Sequence, residues 1–285
     1  MFTNKKSQQK WAILTLSIFF VIYVLSIIQL HANMDRFSYK TSFKILYPYY
    51  LSVIFPMKKY NKKVVQALSS IKEAEFVIVK NTSIQNSTFQ DQIFRDKRVK
   101  ILDVPDGRND YYKYGADNSR GNYIFLMGNN SIFNHNAGNA IKELLKTSKL
   151  DIIELGDDNE STIDNIKQIQ NEFLYHKLNW NINNKFIKRS TYIKTGKLLG
   201  NIMNEIKSEK LRNIIEMSSI YLTSTSYKYA KGDLIFSKNN ADVSLEPKEL
   251  NFLTKTIYEL YTKYSQMKKE EIDNSKLFKN YNFSK

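Results

Sequence analysis

Short apolar runs separated by amphipathic stretches set the rhythm of the chain from residue 50 onward. Tyr50–Pro56 is an apolar run closed by proline, the pattern of a buried strand. Lys62–Ile71 places Val64, Val65, Leu68 and Ile71 at helical steps and predicts a helix. Phe76–Val79 is a second buried strand, followed by a polar run from Asn81 to Asn86, and Val99–Val104 is a third. Asp110–Arg120 reads as a helix halted at Gly121, and Tyr123–Met127 as a fourth strand. Alternation of this kind predicts an α/β domain with a mixed, mostly parallel sheet flanked by helices on both faces. Such sheets bind ligands beyond the carboxyl ends of their strands.

The pattern is less regular further on. Asp151–Leu155 predicts a strand, Ser161–Tyr175 a helix, and Leu198–Met217 a long basic and apolar helical stretch. Leu250–Lys269 predicts a C-terminal amphipathic helix, with Leu253, Ile257, Leu260 and Tyr264 along one face.

Trp11–Leu30 carries no charge. At about 1.5 Å of rise per residue a helix here spans about 30 Å, the thickness of a bilayer's hydrocarbon. Trp11 is placed as an interfacial aromatic, and the apolar core exceeds the roughly 7–15 residues of a cleaved signal peptide. One transmembrane helix is therefore expected. Lys5, Lys6 and Lys10 flank one end and Arg36, Lys40 and Lys44 the other, so the positive-inside rule leaves its orientation open. The expected organisation is a basic tail (1–10), an anchor (11–30), a stalk (31–49) and a domain (50–285).

The net charge of +15 suits an anionic partner: nucleic acid, anionic lipid or a phosphorylated small molecule. No long Lys/Arg block is present, so no nucleic-acid partner is expected. The absence of cysteine removes disulfides, thiol nucleophiles and thiolate-bound zinc. The 3 histidines, His31, His135 and His176, are too scattered to predict a zinc site.

Several segments bear on function when taken in order. LSVIFPMKKYN ends in Tyr60-Asn61, ALSSI closes the following helix, and FVIVKNTSIQNS (76–87) follows. YGADNSRGNYIFLMGNN then places Gly115, Gly121 and Tyr123 in step, NKFIKRSTYIK covers residues 184–194, and Ile215-Glu216-Met217 comes about thirty residues later. This succession resembles family 2 glycosyltransferases of the GT-A fold, the capsule and lipooligosaccharide type, over residues 50–235.

The resemblance implies a nucleotide-sugar half (50–130), an acceptor half (131–240) and a C-terminal helical segment (241–285). It implies transfer of a sugar from a nucleotide-sugar donor to a glycan or glycolipid acceptor such as a cell-surface polysaccharide or lipooligosaccharide. Pro56, Tyr60, Asn61, Lys80, Asn81, Ser83, Lys113, Gly128, Asn129 and Asn130 are the candidate donor contacts, and Glu216 is the candidate catalytic base. In a bacterium the donor is cytosolic, which places the domain on the cytoplasmic face.

The acidic positions of the family are altered. Its two aspartates after the second strand fall on Lys80 and Gln85, its D-x-D pair on Gly128 and Asn130, and the aspartate of its Glu-Asp pair on Met217. Mg²⁺ or Mn²⁺ would lose both charged ligands at residues 128–130. A cation can stabilise a diphosphate leaving group in a metal's place. Lys80, Lys113, Arg108 and Arg120 are candidates for that role, with ordinary surface cations as the alternative. Asp157-Asp158 reads either as a metal pair on another loop or as a helix cap. A catalytically lapsed scaffold or regulator of glycan assembly is the second expectation.

Overall fold

The computed structural model describes residues 49–57, 63–81, 95–104, 110–128, 131–135, 137–156, 160–175, 178, 182–200, 202–231, 235–237, 245–266, 272 and 277. The chain divides into two units, Met1–Pro48 and Tyr49–Lys285, and the fold below is that of the second. The expected tail, anchor and stalk lie outside the described residues, except Tyr49. Among the described residues no helix is long and apolar enough to cross a membrane.

Among the described residues ten strands form the framework: β1 (Leu51–Met57), β2 (Glu75–Asn81), β3 (Val99–Val104), β4 (Tyr123–Leu126), β5 (Ser131–Phe133), β6 (Ile152–Gly156), β7 (Ser161–Ile163), β8 (Lys185–Lys188), β9 (Tyr227–Lys231) and β10 (Ile235–Ser237). The helices are α1 (Lys63–Ser70), α2 (Tyr111–Asp117), α3 (Ala137–Thr147), α4 (Ile166–Tyr175), α5 (Arg189–Leu199), α6 (Ile202–Glu205), α7 (Glu209–Thr223) and α8 (Pro247–Tyr264). Strands β3-β2-β1-β4-β8-β6-β9-β7 make one 8-stranded sheet, and β10 pairs with β5 in a separate ribbon. Pairs β1–β2, β1–β4, β2–β3 and β6–β9 are parallel, whereas β8 runs antiparallel to β4 and β6, and β7 to β9. The sheet is thus mixed and mostly parallel, as expected.

Alternation along each strand divides the core into two layers. Phe55, Phe76, Ile78 and Phe125 face α1 and α3, meeting Ala67, Leu68, Ile71, Ile141 and Leu145. Ile54, Val77, Val79 and Leu126 face the other way, toward a thicker layer that includes Ala116, Phe173, Tyr192, Ile215, Tyr221 and Leu253. The close approach of α2 to this face depends on Gly115. A Cβ there would lie 2.4 Å from Ile54 Cγ2 and 2.9 Å from Val79 Cγ2.

Two buried polar clusters tie the amino edge of the sheet together. Glu75 on β2 accepts hydrogen bonds from Ser52 Oγ (2.6 Å), the Arg120 backbone N–H (2.7 Å) and Arg120 Nε (2.9 Å). The Gly121 N–H in turn donates to Ser52 Oγ at 2.7 Å. Asp151, just before β6, accepts from Thr191 Oγ1 (3.0 Å), and from the Thr225 N–H and Thr225 Oγ1 (2.8 Å each). Arg98 closes α1 by donating to the carbonyls of Leu68 and Ile71, two groups that a helix end leaves without internal partners.

Several expected boundaries shift for identifiable reasons. The helix expected over 161–175 begins at Ile166, because Ser161–Ile163 pairs with β9 and Asn165 Oδ1 accepts from the Gln168 N–H as a cap. The stretch expected as one helix over 198–217 is three: Gly200 (φ 48°) ends α5, and Ser208 caps α7 by accepting from the Leu211 N–H. The C-terminal helix starts earlier than expected, at Pro247, where proline suits the first helical position, and it ends at Tyr264. Helix α3 and strands β5, β9 and β10 had no counterpart among the expected elements, and 184–194 was read as a motif rather than as β8 and α5.

Candidate functional site

The strand order creates a crevice. From β1 the chain moves outward through β2 to β3, then returns by α2 to place β4 on the other side of β1. The order of winding reverses between β1 and β4, and open α/β sheets bind ligands outside the carboxyl ends at such a reversal. Pro56 and Gly128 stand there. The β1–β4 ladder ends with Ile54 opposite Leu126 and the Met127 N–H donating to the Ile54 carbonyl at 2.9 Å. Pro56 is two residues on and faces the same side, so its missing N–H falls where the ladder has stopped. Gly128 is the first residue past Met127 and brings no side chain to the opening.

Lys80 and Asn81 close β2 one strand away from the reversal. Lys80 is buried on the same side as Phe76 and Ile78, and its ammonium pairs with Asp103, its register neighbour on β3. An ordinary solvated cation is therefore not what stands at this position. Tyr60, Asn61, Ser83, Asn129, Asn130, Arg108 and Asp157-Asp158 lie outside the described residues. Arg120 lies at the wrong edge for the leaving-group role considered for it. It binds Glu75 at the amino end of β2 because the Gly121 turn feeds the start of β4, not its end.

Glu216 lies in the layer on the opposite side of the sheet from Lys80, and the charge of Lys113 acts on it. Glu216 sits in the middle of α7, 7% exposed, and accepts a hydrogen bond from the Tyr192 hydroxyl of α5. Burial pushes its carboxyl up to about 7, and nearby Asp110 adds to the rise, while the Tyr192 hydrogen bond, Arg212 and Lys113 pull the other way. Tyr112 is held above its ordinary range first by burial and then by Glu209 and Glu216. Asp110, Tyr112 and Lys113 belong to the start of α2, which follows β3 and so lies toward the carboxyl edge. Lys113 is 2.9 Å from Asp117, and its stem passes Gly196 of α5, where a Cβ would be 3.3 Å from Lys113 Cε. Met217 is completely buried in the apolar layer, since consecutive helix positions diverge by about 100°.

Tyr192, Tyr112, Asp110 and Arg212 were not singled out in the sequence. Tyr192 does lie within the 184–194 segment, but its partner is separated from it by 24 positions and nothing local joins them. The beginning of that segment builds a buried cluster instead: Lys185 pairs with Glu154 at 3.2 Å, and Asn184 and Tyr227 donate to the same carboxylate.

Gly128 brings no side-chain ligand to a metal, and among the described residues no group of three or more His, Asp or Glu side chains able to hold one occurs.

No protein-family model matches the chain, and no curated protein matches it by sequence. Solved structures do. S. aureus TarS 1–349 superposes with a TM-score of 0.54 at 10% identity, covering 77% of this chain and 67% of TarS 1–349. The same TarS fragment in complex with UDP-GlcNAc gives a TM-score of 0.50 at 13% identity, with 77% and 68% covered. S. aureus TarS gives 0.53 at 12% identity, and there the match covers 77% of this chain but only 41% of TarS. TarS is a GT-A-type glycosyltransferase, and the mixed eight-stranded sheet described here has the GT-A-like fold.

Proposed function

We propose that the domain binds a nucleotide sugar at the carboxyl edge around β1, β2 and β4 and transfers the sugar to a cell-surface polysaccharide or lipooligosaccharide. The observation that carries this reading is the placement of Glu216: a buried carboxylate held by Tyr192, close to Lys113 and Asp110 at the start of α2. The fold shared with TarS, one structure of which holds UDP-GlcNAc, supports the donor class.

In the proposed reaction an acceptor hydroxyl oxygen forms a bond to the anomeric carbon while the bond from that carbon to the diphosphate oxygen breaks. The electron pair leaves with the nucleoside diphosphate, and the hydroxyl proton passes to a Glu216 carboxylate oxygen. A base titrating near neutrality balances availability against strength. Lys113, a candidate donor contact whose charge acts on this carboxylate, supplies positive charge at the start of α2. Pro56 and Gly128 leave room at the reversal point for the donor, with Lys80, Asn81 and the loop residues Tyr60, Asn61, Ser83, Asn129 and Asn130 as further contacts. No step is assigned to a metal. Residues 11–30 would anchor the protein in a membrane, with the domain on the cytoplasmic face in a bacterium.

The altered residue at 128 favours a second reading, a lapsed domain that scaffolds or regulates an active partner. Release of the nucleotide (UDP, CMP or GDP) from a panel of UDP-, CMP- and GDP-sugars, with glycan extracts as acceptors, separates the two. Release that is lost in Glu216→Gln supports the enzyme. Absence of release from every donor overturns it.

A further inference from the structure

Tyr192 and Glu216 form a contact that the proposed reaction uses only at one end. Both side chains are nearly inaccessible, at 3% and 7% exposure, and they come from different helices, α5 and α7. A phenol that donates to a carboxylate favours its ionised form and fixes which oxygen stays open. The resembled family supplies a second acid directly after its glutamate, but Met217 is buried in the apolar layer and contributes no polar atom to the cluster. Tyr192 is the group that meets the carboxylate instead.

Resting on the reading of Glu216 as base, we propose that Tyr192 is a positioning residue: its hydroxyl holds the Glu216 carboxylate ionised and turned toward the start of α2, the task left open by Met217.

Tyr192 is itself anchored. It follows Thr191, which is tied to Asp151 (3.0 Å), and precedes Thr195, whose Oγ1 meets Thr223 Oγ1 at 2.9 Å. These bonds join α5 to both the amino edge of the sheet and the C-terminal end of α7, so the phenol approaches Glu216 from a fixed direction. The charged and titratable groups around the pair are Asp110, Tyr112, Lys113 and Asp117 of the α2 region and Glu209 and Arg212 of α7. Arg212 and Lys113 act in the same direction as Tyr192 and Asp110 against it. Tyr192 donates a hydrogen bond directly to the carboxylate.

The test is the carboxyl ¹³C titration of Glu216 in the full chain, without ligand, for wild type and Tyr192→Phe. Loss of a hydrogen bond to a charged group is expected to weaken proton release from Glu216 about tenfold or more, moving the midpoint to higher pH. Replacing Tyr192 with 3-fluorotyrosine strengthens the donor with little change in shape, and it is expected to move the midpoint down. It also covers the case in which Tyr192→Phe fails to fold. An unchanged midpoint in the folded variants overturns the proposal. The rising limb of the kcat/KM profile for donor turnover should follow the same displacement. If the titration moves and the rate profile does not, Tyr192 orients Glu216 and it is the base assignment that fails.

Discussion

Lys185 on β8 and Glu154 on β6 are register neighbours whose side chains form an ion pair at 3.2 Å with 0% and 3% of their surface exposed. Two charges this far from water are tolerated only where their remaining hydrogen-bonding capacity is met. Here Asn184 Oδ1 accepts from Lys185 at 2.9 Å, Asn184 Nδ2 donates to Glu154 at 3.0 Å, and the Tyr227 hydroxyl donates to Glu154 at 2.9 Å. Burial draws the Lys185 ammonium below its ordinary range, and Glu154 resists that change.

Removing one charge should therefore be worse than removing both. Lys185→Met leaves Glu154 buried and uncompensated and should cost about 3–5 kcal/mol. Adding Glu154→Gln keeps an acceptor for Tyr227 and Asn184 and should recover most of that loss. Urea unfolding of the three proteins measures it, and a double variant no more stable than Lys185→Met would contradict the account.

Glu216 makes a prediction about stability and pH. Its folded value of about 7 lies above its ordinary 4.5, so between those values the folded chain holds a proton that the unfolded chain has released. Stability from this group is complete below the lower value and is lost as pH rises through the upper one, by about 3 kcal/mol at most. Glu216→Gln should flatten that part of the stability profile and should be relatively more stable at pH 8 than at pH 5. Thermal or urea unfolding across pH 4.5–8 checks the sign.

Tight packing against the glycine backbone predicts which glycines resist change. At Gly121 a Cβ would lie 2.4 Å from the Ser52 backbone nitrogen, and at Gly115 2.4 Å from Ile54 Cγ2. Alanine at either position should cost about 1–3 kcal/mol or more through overpacking. Gly196→Ala meets only the flexible stem of Lys113, at 3.3 Å, and should remain within about 0.5 kcal/mol of wild type. Melting temperatures of the three variants rank them, and a Gly121→Ala protein as stable as Gly196→Ala would count against this packing.

The first half of the sheet was legible because β1, β2 and β4 are short runs buried on both faces and bounded by polar residues, while the half-buried edge strand β3 still carries Val99, Ile101, Leu102 and Val104. The second half was not. Strand β8 is buried but begins with Lys185, whose charge is met by Glu154, a residue 31 positions earlier in the sequence. The motif of residues 184–194 marked the place without revealing that its lysine is structural and its tyrosine meets Glu216. Glu216 was singled out by its place in the succession of motifs, and the structure holds it buried in α7 against Tyr192; the lack of a side chain at Gly128 is read directly from the sequence. Arg120 was misplaced because a cation near a glycine turn looks the same in sequence at either edge of a sheet. Only the pairing of β2 and β4 with β1 assigns that edge.

On the function proposed above, this GT-A-like domain takes up a nucleotide sugar without a carboxylate-held metal ion. Titration calorimetry of the full chain with UDP, CMP, GDP and their sugars, each with Mn²⁺ and with EDTA, tests it most directly. Binding of at least one nucleotide sugar tighter than about millimolar is expected, with an affinity that Mn²⁺ leaves unchanged. Silence across the panel, or binding seen only with Mn²⁺, would contradict it.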